Sequence, residues 1–329
     1  MDVSIVIPTW KGKSLLQTYL PTVLEASSRY SSLRGSRTEI IVVDDAGGDD
    51  TPQWLRLAYP NQIQVIELER NRGFAGACQA GFEAAHFPVI LLLNNDVRLE
   101  ADCIAPLVEH FADSSVFAVT GKIFDQKGAA FCNGGKIARF RRGMWSTYEN
   151  YDLLPGVEPG SLSLLSFTAI GAFSAFDRRK LLEIGGFDPL AAMVEDVEIS
   201  YRGWKRGWCV RYEPRSVAYH DASQTMDRRY SRRSLDKVSR RSRILMHWML
   251  LHDRVMFRRH LAYILGRILI SWLILDWSFY WAVFTGLGNL PGIRRKRRLT
   301  RRTMVCPDSR LLHLLEDFYR TAPITPRER

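Results

Sequence analysis

Five short apolar runs rich in Ile, Val and Leu punctuate the first 120 residues, at 3–7, 39–43, 64–68, 89–93 and, more weakly, 116–120. Each is nearly continuous rather than alternating, the pattern of strands buried on both faces in a parallel sheet. Stretches able to form helices, 14–28, 74–85 and 102–111, lie between most of them. Alternating strand and helix predicts an α/β fold: an open, doubly wound, mostly parallel sheet with flanking helices.

Polar residues stand where these strands end. Pro8-Thr9 closes the first run, Asp44-Asp45 the second and Asn94-Asn95-Asp96 the fourth. Ligands of open α/β sheets sit outside the carboxyl ends of the strands, so these groups are expected to meet in one crevice. Each also has a local reading: 44–49 makes a good turn, and Asp96 can cap a helix. Acidic groups at a site for a phosphate-bearing ligand call for a divalent cation between the like charges. The glycines of Asn71-Arg72-Gly73-Phe74-Ala75-Gly76 lack the G-x-G-x-x-G spacing of a dinucleotide fold, and no G-x-x-x-x-G-K-[ST] occurs.

Charge divides the chain. The net +11 resolves into −5 over residues 1–130, balance over 131–227 and +16 over 228–329. Two basic clusters, 228–243 and 294–302, imply a polyanionic partner, nucleic acid or an anionic membrane surface. The start of the chain shows no basic segment ahead of a long apolar one, so no secretory signal is expected there. The five cysteines lack C-x-x-C spacing, which fits a reducing cytosol better than a disulfide framework or a zinc site.

The pieces Ser4-Ile5-Val6-Ile7-Pro8-Thr9, Ile41-Val42-Val43-Asp44-Asp45, Asn71-Arg72-Gly73-Phe74-Ala75-Gly76, Leu91-Leu92-Leu93-Asn94-Asn95-Asp96, Gly185-Gly186-Phe187-Asp188-Pro189, Glu195-Asp196-Val197-Glu198-Ile199-Ser200-Tyr201-Arg202 and Tyr219-His220 follow in one order. Together they resemble the family-2 inverting glycosyltransferases of GT-A fold, especially bacterial rhamnosyltransferase-like members, over about residues 2–222. The resemblance implies a nucleotide-binding half (1–120), an acceptor half (121–225) and a C-terminal appendage (226–329). It implies that Pro8, Thr9, Asp44 and Asp45 hold base and ribose, that Asn71, Arg72 and Gly73 close that pocket, and that Asn94 and Asn95 precede the metal ligand Asp96. Lys11 and Gln79 depart from the family, where Asn is frequent at both places, and are expected to bear on donor choice.

By the same resemblance Asp196 is the general base, beside Glu195. The helix expected over 197–206 would hold the pair in its first turn, where the dipole favours an ionised carboxylate; the alternative is that both merely cap it. His220, after a strand expected over 216–219, matches the family's metal-binding histidine. Asp96 and His220 with diphosphate oxygens suit Mg2+ or Mn2+, the imidazole tilting toward Mn2+. Thr168-Ala169-Ile170-Gly171-Ala172-Phe173 resembles the segment of small residues beneath the donor sugar, so Gly171 and Ala172 join the donor set. Trp204 and Trp208 read equally as sugar platforms or core, and Asn133-Gly134-Gly135 reads as a turn.

Residues 261–284 are almost uniformly apolar and long enough to cross a bilayer. Arg267 and Asp276 inside the stretch, and basic flanks on both sides, argue against crossing. His260, Arg267, Ser271 and Ser278 make a narrow polar stripe at 100° per residue, with Asp276 opposite. One or two helices lying in the cytoplasmic membrane interface are expected, peripheral on the inner face; a pair packed on the catalytic domain or a second subunit is the alternative. The expected partners are a dTDP- or UDP-sugar donor, dTDP-rhamnose first, and a saccharide acceptor, with a polyprenyl-diphosphate carrier as one form. An oligomer is left open. A nucleotidyltransferase would want a Gly-rich, Lys-containing signature after the first strand, of which 10–13 is a poor version, and a nucleic-acid binder would want a reading module; no nucleic-acid partner is expected.

Overall fold

The computed structural model describes residues 1–158, 162–220 and 231–327, apart from the side chain of Arg232. The first half runs β1 (Val3–Thr9), α1 (Lys13–Arg34), β2 (Thr38–Asp44), α2 (Thr51–Ala58), β3 (Ile63–Glu67), α3 (Gly73–Ala84) and β4 (Val89–Leu93). Alternate residues of β1 explain its continuous apolar run. Val3, Ile5 and Ile7 pack in one apolar cluster with α1, and Val6 in another with α3, so both faces are dry. Gly81 lets α3 come close, since a Cβ there would lie 2.3 Å from the Val6 Cγ1. Helix α1 ends where Gly35 takes a left-handed conformation (φ +59) and donates its N–H to the Ser31 carbonyl.

The chain continues with β5 (Val97–Leu99), α4 (Ile104–Glu109), β6 (Val116–Phe124), β7 (Phe131–Asn133), β8 (Gly135–Arg141), β9 (Met144–Leu153), β10 (Phe173–Asp177), α5 (Arg178–Glu183), α6 (Glu195–Lys205) and β11 (Cys209–His220). The main sheet has the order β3-β2-β1-β4-β10-β6-β11-β5, with β7 beside β6. It is mixed, which corrects the mostly parallel expectation. Pairs among β3, β2, β1 and β4 are parallel, as is β6–β11, but β10 runs antiparallel to both β4 and β6. The physical reason is the excursion through β7–β9, which returns the chain at the ligand end of the sheet: Phe173, the first residue of β10, pairs with Leu93, the last of β4.

Five helices follow: α7 (Arg232–Leu250), α8 (Arg254–Leu273), α9 (Trp277–Gly288), α10 (Leu290–Thr303) and α11 (Asp308–Thr321), then β12 (Ile324–Arg327). Strand β12 pairs with β9 in a second sheet, β12-β9-β8. Leu245, Met249 and Leu250 of α7 and Leu311 and Leu315 of α11 share one apolar cluster with Phe167, Tyr201 and Trp204. The expected division at residues 225 and 226, and Arg228 and Arg229 of the first basic cluster, lie outside the described residues.

Among the described residues no helix is long and apolar enough to cross a membrane. The apolar stretch breaks at Leu275, which has a positive φ of 54°, and at Asp276, whose carboxylate accepts from Arg240 (2.6 Å), Arg267 (2.9 Å) and the Phe279 N–H at the start of α9 (3.3 Å). Arg267 and Asp276, the two charges that spoil the stretch, thus neutralise each other. The polar stripe points inward. His260 and Ser271 are fully buried, whereas Leu265, Leu269, Trp272 and Leu273 are 64–79% exposed.

Candidate active site

The strand registers assemble the site. Thr9 pairs with Asp44 across β1 and β2, and the Asp45 N–H donates to the Thr9 carbonyl (2.9 Å). On the other side of β1, β4 delivers Asn95, whose Nδ2 donates to the Thr9 Oγ1 (2.8 Å). Gly12 makes room for this pair, because a Cβ there would fall 2.1 Å from Oγ1 and 2.4 Å from Nδ2. Antiparallel pairing of His220 with Val97 then sets the imidazole beside Asp96, with Nε2 3.0 Å from Oδ1. Gln126 braces that corner by donating to the Asp96 and Tyr219 carbonyls (both 3.3 Å).

These groups surround a cavity of about 600 Å3 lined by Pro8, Thr9, Asp45, Gly73, Asn94, Asn95, Asp96, Glu195 and His220. The remaining expected donor residues stand behind its wall. Asp44 turns into its own loop and accepts the Gly47 N–H (2.9 Å), and burial raises its pKa despite that bond. Asn71 Nδ2 donates to the Asp45 carbonyl (2.9 Å), and the Arg72 N–H to the Asp45 carboxylate (2.6 Å), so both orient Asp45. The Ala172 carbonyl accepts the Asn94 N–H (3.1 Å), and the Gly171 N–H reaches the Asp196 carboxylate. Gln79 lies away from the cavity, donating to Glu83 (2.8 Å), so its expected bearing on donor choice is not supported. Trp204 donates to the Phe167 carbonyl (3.0 Å), and Trp208 stacks on Phe117: both are core, not sugar platforms.

Glu195 and Asp196 open helix α6 as anticipated, but the dipole does not set their charge. Burial raises both. Glu195, with Asp196 next to it, is pushed up to about 7, opposed by its own N–H and that of Met193. Asp196 is raised although the N–H groups of Val197 (2.8 Å) and Gly171 and the Lys136 ammonium favour its charged form. Desolvation of a carboxylate outweighs the partial charge of a helix end here. Met193 supplies its N–H from a strained left-handed conformation (φ 71).

Several lining residues of the site are not assigned to it from the sequence. Trp10, Phe74 and Met193 line the cavity, and Ser234, Leu235 and Val238 of α7 close one side. Trp10 and Phe74 adjoin residues the motifs do mark, whereas no local signal marks Met193 or the α7 residues, since α7 reads only as a basic helix.

Asp96 and His220 offer a carboxylate and an imidazole to one point, and Asn94, lining the same cavity, has a buried Oδ1 without a hydrogen-bond partner. Among the described residues no cluster of three or more His, Cys, Asp or Glu could hold a metal. A divalent cation at Asp96 and His220 fits if a ligand's oxygens complete its shell.

The model of glycosyl transferase family 2 matches residues 4–184, more than half of the chain, which include Thr9, Asp45 and Asn94 to Asp96 of this crevice and end before Glu195 and His220. The chain belongs to glycosyl transferase family 2. A poly-beta-1,6-N-acetyl-D-glucosamine synthase of Staphylococcus aureus is 24% identical over 208 residues, 62% of this chain and 48% of the synthase. The family 2 chain thus spans about half the length of the curated relatives it matches. Among solved structures, a mannosyltransferase from Pyrobaculum calidifontis in complex with GDP-Man and Mn2+ is similar with a TM-score of 0.53 and 16% identity, covering 91% of this chain and 85% of that one. Residues 1–349 of S. aureus TarS in complex with UDP-GlcNAc are similar with a TM-score of 0.54 and 14% identity, covering 97% and 92%. At these identities the likeness bears on the fold, which is GT-A-like as the motifs implied. Family 2 membership leaves the nucleotidyltransferase and nucleic-acid readings without support.

Proposed function

We propose that this protein is an inverting glycosyltransferase that moves a sugar from a nucleotide-diphosphate donor to a saccharide hydroxyl. The observation that carries this reading is the meeting of Asp45, Asp96, His220 and Glu195 on one cavity at the strand ends. Thr9 and Asp45 hold the nucleoside, Asp45 kept in place by Asn71 and Arg72. Asp96 and His220 would hold Mg2+ or Mn2+, which would supply positive charge to offset that of the donor's diphosphate. Asp196 takes the acceptor proton, and its raised pKa makes it a stronger base than a surface carboxylate.

For the donor, dTDP-rhamnose follows from the motif resemblance, and UDP-N-acetylglucosamine is the ligand of the similar TarS structure. Titration calorimetry with UDP and dTDP, with and without Mn2+, decides between the bases. Binding should need the metal, and Asp96→Ala should weaken it by more than about tenfold, or roughly 1.4 kcal/mol. Metal-independent binding that is unchanged in the variant would remove the donor-site assignment.

The acceptor reading is a saccharide on a lipid carrier, polyprenyl diphosphate in one form, met at the inner face of the cell membrane. Support comes from the α8–α9 hairpin, which is inside out. Between Ile268 and Ile293 Asp276 is the only charged residue, and its two arginines neutralise it, while Leu269, Trp272, Leu273, Ile274 and Trp277 face outward. Exposed Arg258 and Arg259 precede this stretch and Arg294 and Arg295 follow it, a basic collar around an apolar tip. Each large side chain transferred from water contributes about 1.5–3 kcal/mol. Leu269→Glu with Leu273→Glu should reduce co-sedimentation with phosphatidylglycerol vesicles more than tenfold and leave metal-dependent UDP binding unchanged. Equal sedimentation would refute membrane docking, as would a dimer that the same substitutions split.

A further inference from the structure

A second cavity, about 590 Å3, opens between helix α10 and the loop that joins α5 to α6. Its charge is unbalanced. Arg202, Arg295, Lys296, Arg298 and Arg302 line it, against Asp188 and Glu198 alone. The two acids are already committed: Lys296 is paired with Asp188, and Arg202 with Glu198 (2.7 Å). Arg202 also donates to the Ile184 and Gly186 carbonyls (2.5 Å each), which fixes the loop as one rigid wall. Arg295, Arg298 and Arg302 are left exposed, with no hydrogen bond or ion pair to the described residues.

Their spacing of three and four residues sets these guanidinia on one face of α10, where like charges repel unless an anion sits among them. Exposed arginines usually point into open solvent. These instead share a concave space with Phe187, Met249 and Leu250, a wall that is apolar on one side and cationic on the other. The cavity is also tied to the candidate active site. Glu198 and Arg202 sit on the helix that opens with Glu195 and Asp196, Arg202 about 10 Å farther along at 1.5 Å per residue. Phe187 packs on Phe74 of the donor cavity (5.8 Å between ring centroids).

We propose that this cavity is a second anion site that binds a phosphate or diphosphate group, distinct from the diphosphate of the nucleotide donor. It deepens the lipid-carrier reading of the acceptor and rests on it for its biological use: a diphosphate carrier seated there would reach the base with its saccharide along α6. Binding itself requires only the three free arginines and the fixed loop.

The test is titration of the full chain with inorganic pyrophosphate in EDTA at low salt, where the donor cavity has no metal with which to hold diphosphate. The wild type should bind, and Arg295→Gln/Arg298→Gln/Arg302→Gln should bind at least tenfold more weakly. Arg254→Gln/Arg258→Gln/Arg259→Gln, which removes the same charge from exposed positions outside the cavity, should keep the wild-type affinity. UDP binding with Mn2+, followed in parallel, should be the same in all three proteins, so that a failed donor site is distinguished from a failed anion site. Phosphatidate vesicles that displace pyrophosphate identify a lipid phosphate as the source, and vesicles that leave it bound identify a soluble one. Absence of pyrophosphate binding by the wild type would overturn the proposal, as would an equal loss in both triple variants.

Discussion

Asp196→Asn should lower kcat by roughly 10^2- to 10^4-fold, the range over which a positioned general base contributes, with KM for the donor and metal-dependent UDP binding little changed. Asparagine keeps the shape of the side chain and can still accept the N–H groups of Val197 and Gly171, so the loss would isolate proton transfer from positioning. The pH profile adds an independent reading. A base must be ionised, and burial raises both Asp196 and Glu195, the latter to about 7. Wild-type kcat should therefore fall with decreasing pH at a point above the usual carboxylate value of about 4. The apparent pKa belongs to the pair, because neighbouring carboxyls titrate together. Linkage has the opposite sign for stability: the contribution of a raised carboxyl is fully present below its unfolded pKa and is lost as pH rises through about 7. Glu195→Gln should consequently stabilise the fold at pH 8 relative to pH 5. If Asp196→Asn retained its kcat and Glu195→Gln lost it, the two carboxyls would exchange roles, which steady-state kinetics on the two variants resolves.

The parts of the fold that were legible are those whose burial is set by their own residues. The centres of β1, β2 and β4 are apolar because helices cover both faces, and their carboxyl ends locate Thr9, Asp45 and Asp96 without further information. β8 and β9 carry Lys136, Arg139, Arg141 and Glu149 among their apolar positions, and no single period stands out. β10 reads as a strand only once its partners are known, and its antiparallel direction depends on the whole excursion before it. Helix α2 hides behind Asp49, Asp50 and Pro52, residues that suit a turn as well as a first helical turn. Within the site, adjacent residues divide in a way that composition does not reveal. Asp45 faces the cavity whereas Asp44, the last residue of β2, closes its loop; the Arg72 N–H and the Thr9 carbonyl hold Asp45 in place. The tail teaches a related lesson. Periodicity finds the stripe of His260, Arg267 and Ser271, but a period has no sign, and only the packing against α7 and the β8–β9 hairpin turns that stripe inward.

The same packing ties the helical tail to α6, the helix that opens with Glu195 and Asp196, and Asp308→Asn should expose the link. Asp308 is fully buried at the start of α11, accepting from the Tyr201 hydroxyl and the Lys205 ammonium of α6 and from the N–H groups of His252 and Asp253 (2.7 Å each). Burial works to raise its pKa, but Lys205 beside it and the hydrogen bonds from Lys205 and Tyr201 overcome this and hold the carboxyl below its ordinary value. Replacing it leaves the Lys205 ammonium, itself 0% exposed, without its counter-charge. Breaking one side of a buried pair costs about 3–5 kcal/mol, so the melting temperature should fall by on the order of 10 °C. The sign of the pH dependence follows from the lowered pKa. The contribution of Asp308 is complete above its unfolded value and is lost as pH falls through the folded one, so the two melting curves should differ at pH 7 and converge in strong acid. Lys205→Met with Asp308→Leu should recover much of the loss, since removing both charges removes the stranded cation. A single variant within about 1 kcal/mol of the wild type at pH 7 would mean that water reaches Lys205. The tail would then cover the catalytic helix without fixing it.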